Sequence, residues 1–263
     1  MAVVDDTTPD PYFHRLGDGR YRPTTHVQGA WSLDEQHIAP SIGLLTHAAV
    51  ADHRSRGGEL VPGRLSVDIL GVLPVDDVEV SVDVLRPGRT IELLEAVLTH
   101  EGRPAARLRA WFTAPGDTAD VAGTTFPAIP PVDAMAPWDP TTVWAGGFIA
   151  SAEVRRGHAE PGRAAYWVRS DHPLLDEPVA PTAHAARLFD IANGMATRIS
   201  PDLLAYPNID LTAHLFREPA GRWLGFDTVV SFGPGGVGLT SSVLHDVDGP
   251  FGTLNQSLTL RPR

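Results

Sequence analysis

The feature that most constrains this chain is that it repeats itself. Leu33-Asp34-Glu35 and Ile38-Ala39-Pro40-Ser41 return as Leu175-Asp176-Glu177 and Val179-Ala180-Pro181-Thr182, and Ser66-Val67-Asp68-Ile69 returns as Asn208-Ile209-Asp210-Leu211. Residues 78–86 are echoed by 223–231, and Glu101-Gly102 by Asp248-Gly249. The offsets are 141 at Pro40, 142 at Asp68, 145 at Arg86 and 147 at Gly102, collinear and drifting slowly as loop insertions would make them. One unit, spelled twice, must therefore account for most of the 263 residues.

The unit is readable in the first copy. Pro40 suits a first helical turn, where its missing N–H costs nothing, and Ile42, Leu45 and Ala49 continue at helical spacing until Arg54-Ser55-Arg56-Gly57-Gly58 closes the helix. Strand-like runs follow at 64–70, 78–85, 91–99 and 105–113, broken at Pro74, Pro87-Gly88 and Glu101-Gly102. Val78, Val80, Val82 and Val84 alternate with polar residues, the pattern of a half-buried antiparallel strand. The fold class expected is α+β, one central helix wrapped by an antiparallel sheet in each half. A short strand is expected at 29–32. In the second half a helix is expected with Leu188, Ile191, Ala192, Met195 and Ile199 as its apolar stripe. The expected organisation is a loosely docked N-terminal lead-in at 1–20, a first unit at 21–114, a Pro/Ala/Gly-rich linker at 115–145 and a second unit at 146–263.

Composition narrows the chemistry. The absence of Cys excludes disulfides, Cys-type zinc sites and a Cys nucleophile. A net charge of -11, with 21 basic against 32 acidic residues, argues against a nucleic-acid partner, since phosphate contacts need a basic face. No apolar run approaches a membrane span and the first 20 residues lack a signal-type apolar core, so no membrane association and a cytoplasmic location are expected. Gly233-Pro234-Gly235-Gly236-Val237-Gly238 satisfies the dinucleotide-binding spacing, but a strand-like run follows it where a helix is required, so it reads as a hairpin turn. No GxSxG elbow is present.

A tandem helix-in-sheet repeat of this size resembles the double hot-dog fold, and the C-terminal motifs resemble the acyl-CoA thioesterase II (TesB-like) family. Ile209-Asp210-Leu211-Thr212, with Arg217 seven residues after Asp210, resembles the family's Ile-Asp-His-Ser segment and its downstream Arg. Residues 223–231 resemble the strand that ends in the family's hydroxyl residue, and Asp248-Gly249 followed by Gln256 resembles its last strand. Two positions depart: Leu211 stands where the family usually has His, and Ile38-Ala39 where relatives often have paired Gly.

The resemblance implies hydrolysis of a fatty or related acyl-CoA without a covalent intermediate or a metal or redox cofactor. Asp210 would deprotonate a water held by Ser231 and Gln256, with Asp190, Asn193, His37 and Arg217 binding substrate. Ordinary structural roles compete with these: Asp210 shares a solvated strand face with Thr212 and His214, and Ser231 ends a strand beside a turn. Gln256 is more telling because it shares a face with Leu254, Leu258 and Leu260, where a buried amide must be paired. At the matching positions the first half has Asp68, Arg86 and Ala110, so one site, in the second half, is expected. The rival readings are an acyl-thioester-binding protein without turnover and a hot-dog enoyl-CoA hydratase or dehydratase. Sheet edges leave homo-oligomerisation open.

Overall fold

The computed structural model of the protein describes residues 9–263. Its first elements are β1 (Phe13–Gly17), β2 (Arg20–Pro23) and α1 (Ile38–Ser55), then β3 (Val61–Ile69), β4 (Val78–Arg86), β5 (Ile91–His100) and β6 (Arg103–Thr113). A Pro-rich stretch runs through β7 (Ala136–Trp138) to α2 (Gly147–Ala150), β8 (Ala152–Glu160) and β9 (Arg163–Ser170). The chain continues with α3 (Pro181–Ala186), α4 (Ala192–Met195), β10 (Leu204–Ala205), β11 (Asp210–Leu215), β12 (Leu224–Phe232), β13 (Val237–Asp246), β14 (Gly249–Thr259) and β15 (Arg261–Pro262). No helix among the described residues is long and apolar enough to cross a membrane.

Thirteen strands form one sheet in the order β1-β2-β4-β5-β6-β3-β11-β14-β13-β12-β9-β8-β7. Every adjacent pair is antiparallel, and the order reads alike from both sides of the β3–β11 junction. The register makes the repeat quantitative. Val84 pairs with Leu94 and Leu94 with Ala110; Val230 pairs with Thr240 and Thr240 with Gln256, each residue 146 positions after its counterpart. Ser66 with Arg109 and Thr212 with Asn255 keep the same spacing. Ala110 is thus the counterpart of Gln256, as the sequence implies. Ser231 answers to Leu85 rather than Arg86, and Asp210 to Arg64. Asp68 instead lies directly across from Asp210 in the β3–β11 pair.

α1 is buried on most of its circumference, Ile42, Leu44, Leu45 and Ala49 being inaccessible or nearly so. Its start is fixed by the His37 ring, whose Nδ1 accepts the Ala39 N–H at 3.2 Å, and its end by Gly57 at φ 76°, where a side chain would be strained. The expected strand at 29–32 is absent: only an isolated Gln28–Gln36 bridge forms, because this segment turns inward to meet the second half. Gly146 and Gly147 permit that meeting. A Cβ at Gly146 would lie 2.4 Å from the Gly29 carbonyl oxygen, and one at Gly147 2.0 Å from that of Thr25.

Three expectations need correction. Of the lead-in, residues 1–8 lie outside the described residues, but Tyr12 and Phe13 are fully buried and β1–β2 extends the sheet beside β4. Tyr12 reaches the second half, its hydroxyl lying 2.7 Å from Ser151 Oγ and donating to Ser170 Oγ at 3.0 Å. The linker contributes β7 to the sheet edge and buries Met135 and Trp144. The second helix is interrupted by a 3-10 turn at Phe189–Ile191, and Ile199 is 40% exposed rather than part of a stripe. Carbonyls along this segment accept side chains in place of helical N–H groups. The Arg187 guanidinium bonds His184 O, the Tyr166 hydroxyl bonds Ala192 O at 3.2 Å, and the Trp144 indole bonds Gly194 O at 2.8 Å. The β8–β9 hairpin carries no clear strand alternation in sequence, since Arg155-Arg156-Gly157-His158 interrupts it.

α1 and α3 cross with their backbones nearly touching: a Cβ on Gly43 would sit 2.6 Å from Arg187 Cβ and 2.9 Å from its Cα. Gly43→Ala is expected to destabilise the protein by about 1–3 kcal/mol despite the gain in helix propensity, checked as a lower urea midpoint.

Candidate active site

An Asp flanked by Phe189 and Ile191 on a helical segment packed against α1 has to enter the interior. Asp190 does so: it is 5% exposed, and burial pushes its carboxyl up to about 7. Two side-chain amides answer it. Asn208 Nδ2 donates to Asp190 Oδ1 at 2.6 Å and Gln256 Nε2 donates to the same oxygen at 2.7 Å. These bonds pull the carboxyl toward its ionised form but are outweighed by burial. Both amides are placed by backbone. Asn208 stands just before β11 and also donates to the Asp210 carbonyl at 3.1 Å. Gln256 faces inward from β14 between Leu254 and Leu258 and is 1% exposed. Its Oε1 has no hydrogen-bond partner among the described residues.

The second carboxylate oxygen, Oδ2, lies 3.8 Å from His37 Nδ1. This contact is not an ion pair. The ring stacks on Phe148 with centroids 4.1 Å apart, burial pushes its pKa down to about 3, and its Nδ1 already accepts the Ala39 N–H. His37 is therefore neutral, with its proton on Nε2. Asp190 and His37 border an inter-half cleft of about 310 Å³. Trp31, Gln36 and Ile38 line it from one side, Ile69 to Leu73 from another, and Asn193, Asn208 and Ile209 from the third. The arrangement is a carboxyl poised between its two protonation states, with one oxygen fixed by amides and the other beside an open cleft.

The residues singled out in the sequence divide. Asp190, Gln256, His37 and Asn193 converge here; the Asn193 amide donates to Tyr206 O at 3.4 Å. Asp210 does not line the cleft. Its Oδ1 accepts the Ser257 N–H at 2.5 Å, pinning β11 to β14 one residue from Gln256. Ser231 is exposed on β12 opposite Leu239, because the pleat turns its neighbour Val230 inward instead. Arg217 is committed to Asp246, with contacts of 2.5 and 2.7 Å, and to the Gly249 carbonyl at 2.8 Å, so it holds the β13–β14 turn rather than the cleft. Asn208, Trp31 and Trp144 are additional site residues. Asn208 carried a signal in the repeat, where it opens the strand motif matched to Ser66; the two Trp residues carried none, lying in segments without periodicity.

A profile of the acyl-CoA thioesterase C-terminal domain matches residues 126–260, and one of the N-terminal domain matches residues 27–113. The chain belongs to the acyl-CoA thioesterase family. Solved structures agree on the fold of this thioesterase-family chain. A protein assigned as a thioesterase II from Thermobifida fusca YX superposes with a TM-score of 0.73 at 17% identity, covering 95% of each chain. One assigned as a thioesterase from Novosphingobium aromaticivorans gives 0.70 at 22% identity over 96% of this chain and 100% of that one. A hot-dog protein from Alicyclobacillus acidocaldarius gives 0.75 at 13% identity over 95% and 96%. No curated protein sequence matches the chain. The fold is that of the hot-dog thioesterases.

Burial of Asp190 has a thermodynamic signature. Its folded value of about 7 exceeds the ordinary 3.8, so the folded state holds the proton more tightly and stability falls as pH rises from about 4 through about 7. Asp190→Asn, which keeps an acceptor for both amides, removes that dependence. The thioesterase variant is expected to melt higher than wild type at pH 8, by up to roughly 4 kcal/mol in stability, with the gap closing toward pH 4. Thermal unfolding across that range checks it.

Proposed function

We propose that the chain is a double hot-dog acyl-CoA thioesterase, with units at 21–114 and 146–263 joined by 115–145. In this reading Asp190, Asn208 and Gln256 direct one water onto the thioester. One observation carries it: a buried carboxyl with a value of about 7 whose Oδ1 is fixed by two amide donors, leaving Oδ2 beside the cleft. A general base poised near neutrality has the right combination of ionised fraction and basicity at physiological pH.

Water lies against Asp190 Oδ2, on the side of the carboxyl that borders the cleft. As the water oxygen attacks the thioester carbonyl carbon, its proton passes to Asp190. The two amide donors on Oδ1 hold the carboxylate in one orientation throughout. Ile38, the first residue of α1, borders the same cleft, so the positive end of an 18-residue helix faces the carbonyl oxygen on which negative charge develops. Collapse of the tetrahedral intermediate breaks the carbon–sulfur bond. The thiolate of CoA leaves and takes the proton from Asp190, giving free acid, CoA thiol and the starting carboxylate. No acyl-enzyme forms, in keeping with the absence of Cys from the chain and the exposure of Ser231 away from the cleft.

Hydration of an enoyl-CoA would require a proton-relaying His beside the acid. The nearest ring, His37, is neutral and its Nδ1 is occupied by the Ala39 N–H, which favours hydrolysis.

Asp190→Asn is expected to lower kcat/KM for acyl-CoA by about 10²–10⁴, measured as thiol release, while Ser231→Ala stays within about twofold of wild type. Equal turnover by Asp190→Asn would remove the base from the mechanism. The wild-type kcat/KM is expected to rise with pH on a single ionisation centred near 7, because only the ionised carboxyl takes a proton.

A further inference from the structure

The amino terminus of α1 is short of donors. A helix start ordinarily leaves several backbone N–H groups free, and such groups are what a developing oxyanion uses. Here the His37 N–H bonds Val27 O at 2.7 Å, the Ala39 N–H is taken by His37 Nδ1 at 3.2 Å, and Pro40 has none. Of this turn only the Ile38 N–H is left without an acceptor among the described residues. The side-chain amides around Asp190 are spent as well. Asn208 and Gln256 donate to Asp190 Oδ1, Asn193 to Tyr206 O at 3.4 Å and Gln36 to Pro74 O at 2.8 Å.

His37 is different. Its Nδ1 acts as an acceptor, so its one proton sits on Nε2, and that nitrogen makes no hydrogen bond among the described residues. The ring borders the cleft and keeps 13% of its side chain accessible, against 6% for Asp190. It is not free to turn away, because it stacks on Phe148 at 4.1 Å while the Ala39 N–H holds Nδ1. Nδ1 lies 3.8 Å from Asp190 Oδ2, so a water on that oxygen and a carbonyl at the ring's other nitrogen are neighbours. Burial holds the ring un-ionised, its pKa pushed down to about 3, and a neutral imidazole polarises a carbonyl by hydrogen bonding without giving up its proton.

We propose that His37 is a catalytic residue whose Nε2–H, together with the Ile38 N–H, holds the thioester carbonyl oxygen and the negative charge that grows on it. The inference rests on the thioester-hydrolase reading of the same cleft and adds the group that polarises the carbonyl. No proton moves in this step. The carbonyl π electrons shift to oxygen as the water oxygen bonds to carbon, and both N–H bonds stay intact until the electrons return and the carbon–sulfur bond breaks.

Two substitutions separate this role from the cap. His37→Asn keeps an acceptor for the Ala39 N–H, since Asn caps helices well, but is too short to place a donor where Nε2 stands. His37→Gln reaches that place and weakens the cap. His37→Asn is expected to fold as wild type does and to lose about 10²–10³ in kcat for the acyl-CoA that wild type cleaves fastest, measured as thiol release. His37→Gln is expected to regain at least about tenfold of that loss. The second arm uses a probe that cannot be hydrolysed, the ketone analogue of butyryl-CoA with a methylene in place of the thioester sulfur, carrying carbon-13 at the carbonyl. Its carbonyl stretch is expected at lower frequency when bound to wild type or His37→Gln than when bound to His37→Asn. A kcat for His37→Asn within about threefold of wild type would overturn the proposal, as would one carbonyl frequency in wild type and His37→Asn, whatever the turnover. If no thioester is cleaved yet the frequency falls only where the Nε2 donor is present, the hydrolase reading fails and the donor role of His37 stands.

Discussion

The pairing of β3 with β11 is the constraint on which the rest depends. It joins a six-stranded run and a seven-stranded run into one sheet, with Asp210 opposite Asp68 and Ser66 Oγ 3.1 Å from Thr212 Oγ1 at the seam. Beyond the strands the ladder continues through Ile69 N to Ile209 O at 2.9 Å. That extension brings the loop after β3, from the first half, against Asn208, from the second. The cleft exists because two loops leave the same ladder there and diverge. His37 and Ile38 enter from α1, and Asp190 from the segment crossing it, so each wall of the site is fixed by an element that also closes the core.

Such a site sits under opposing demands. Burying Asp190 raises its pKa into the useful range, yet every increment of that shift is destabilisation at neutral pH. The two amides relieve part of it without neutralising the charge, and they do so from a strand, where geometry is least forgiving. Gln256 is held between Leu254 and Leu258, and its strand is pinned to β11 through Asp210 and the Ser257 N–H. Asp210 thus helps hold Gln256 in register from the neighbouring strand.

How much of this was legible in the sequence can be argued residue by residue. The duplication, α1 and the strands β3 to β6 were readable because their patterns are periodic and their breaks are Pro and Gly. Gln256 was readable because an amide on an apolar strand face must be paired. Asp210 sits in the most recognisable motif, yet the carboxyl buried at the cleft is Asp190, set in a helical segment broken by side-chain bonds that no periodicity encodes. The counterparts of Asp210 and Ser231 were misassigned by four residues and by one, since loops hide true register until cross-strand pairs are seen. Trp144 was hidden for a different reason: its place near Asp190 depends on where a connector without regular structure comes to rest.

The 146-residue register between the halves has a genetic corollary. When two identical chains assemble about a symmetry axis, every substitution appears on both sides of it, so a change that improves one site must be tolerated in its mirror image. Joining the copies in one polypeptide removes that coupling. Ala110 can stay small and inert in the sheet while Gln256 bonds a buried carboxyl at the equivalent address, and Leu85 can differ from Ser231 at no cost to either. Each copy is free to change without its mirror image having to follow, which lets a symmetric architecture hold two unlike halves.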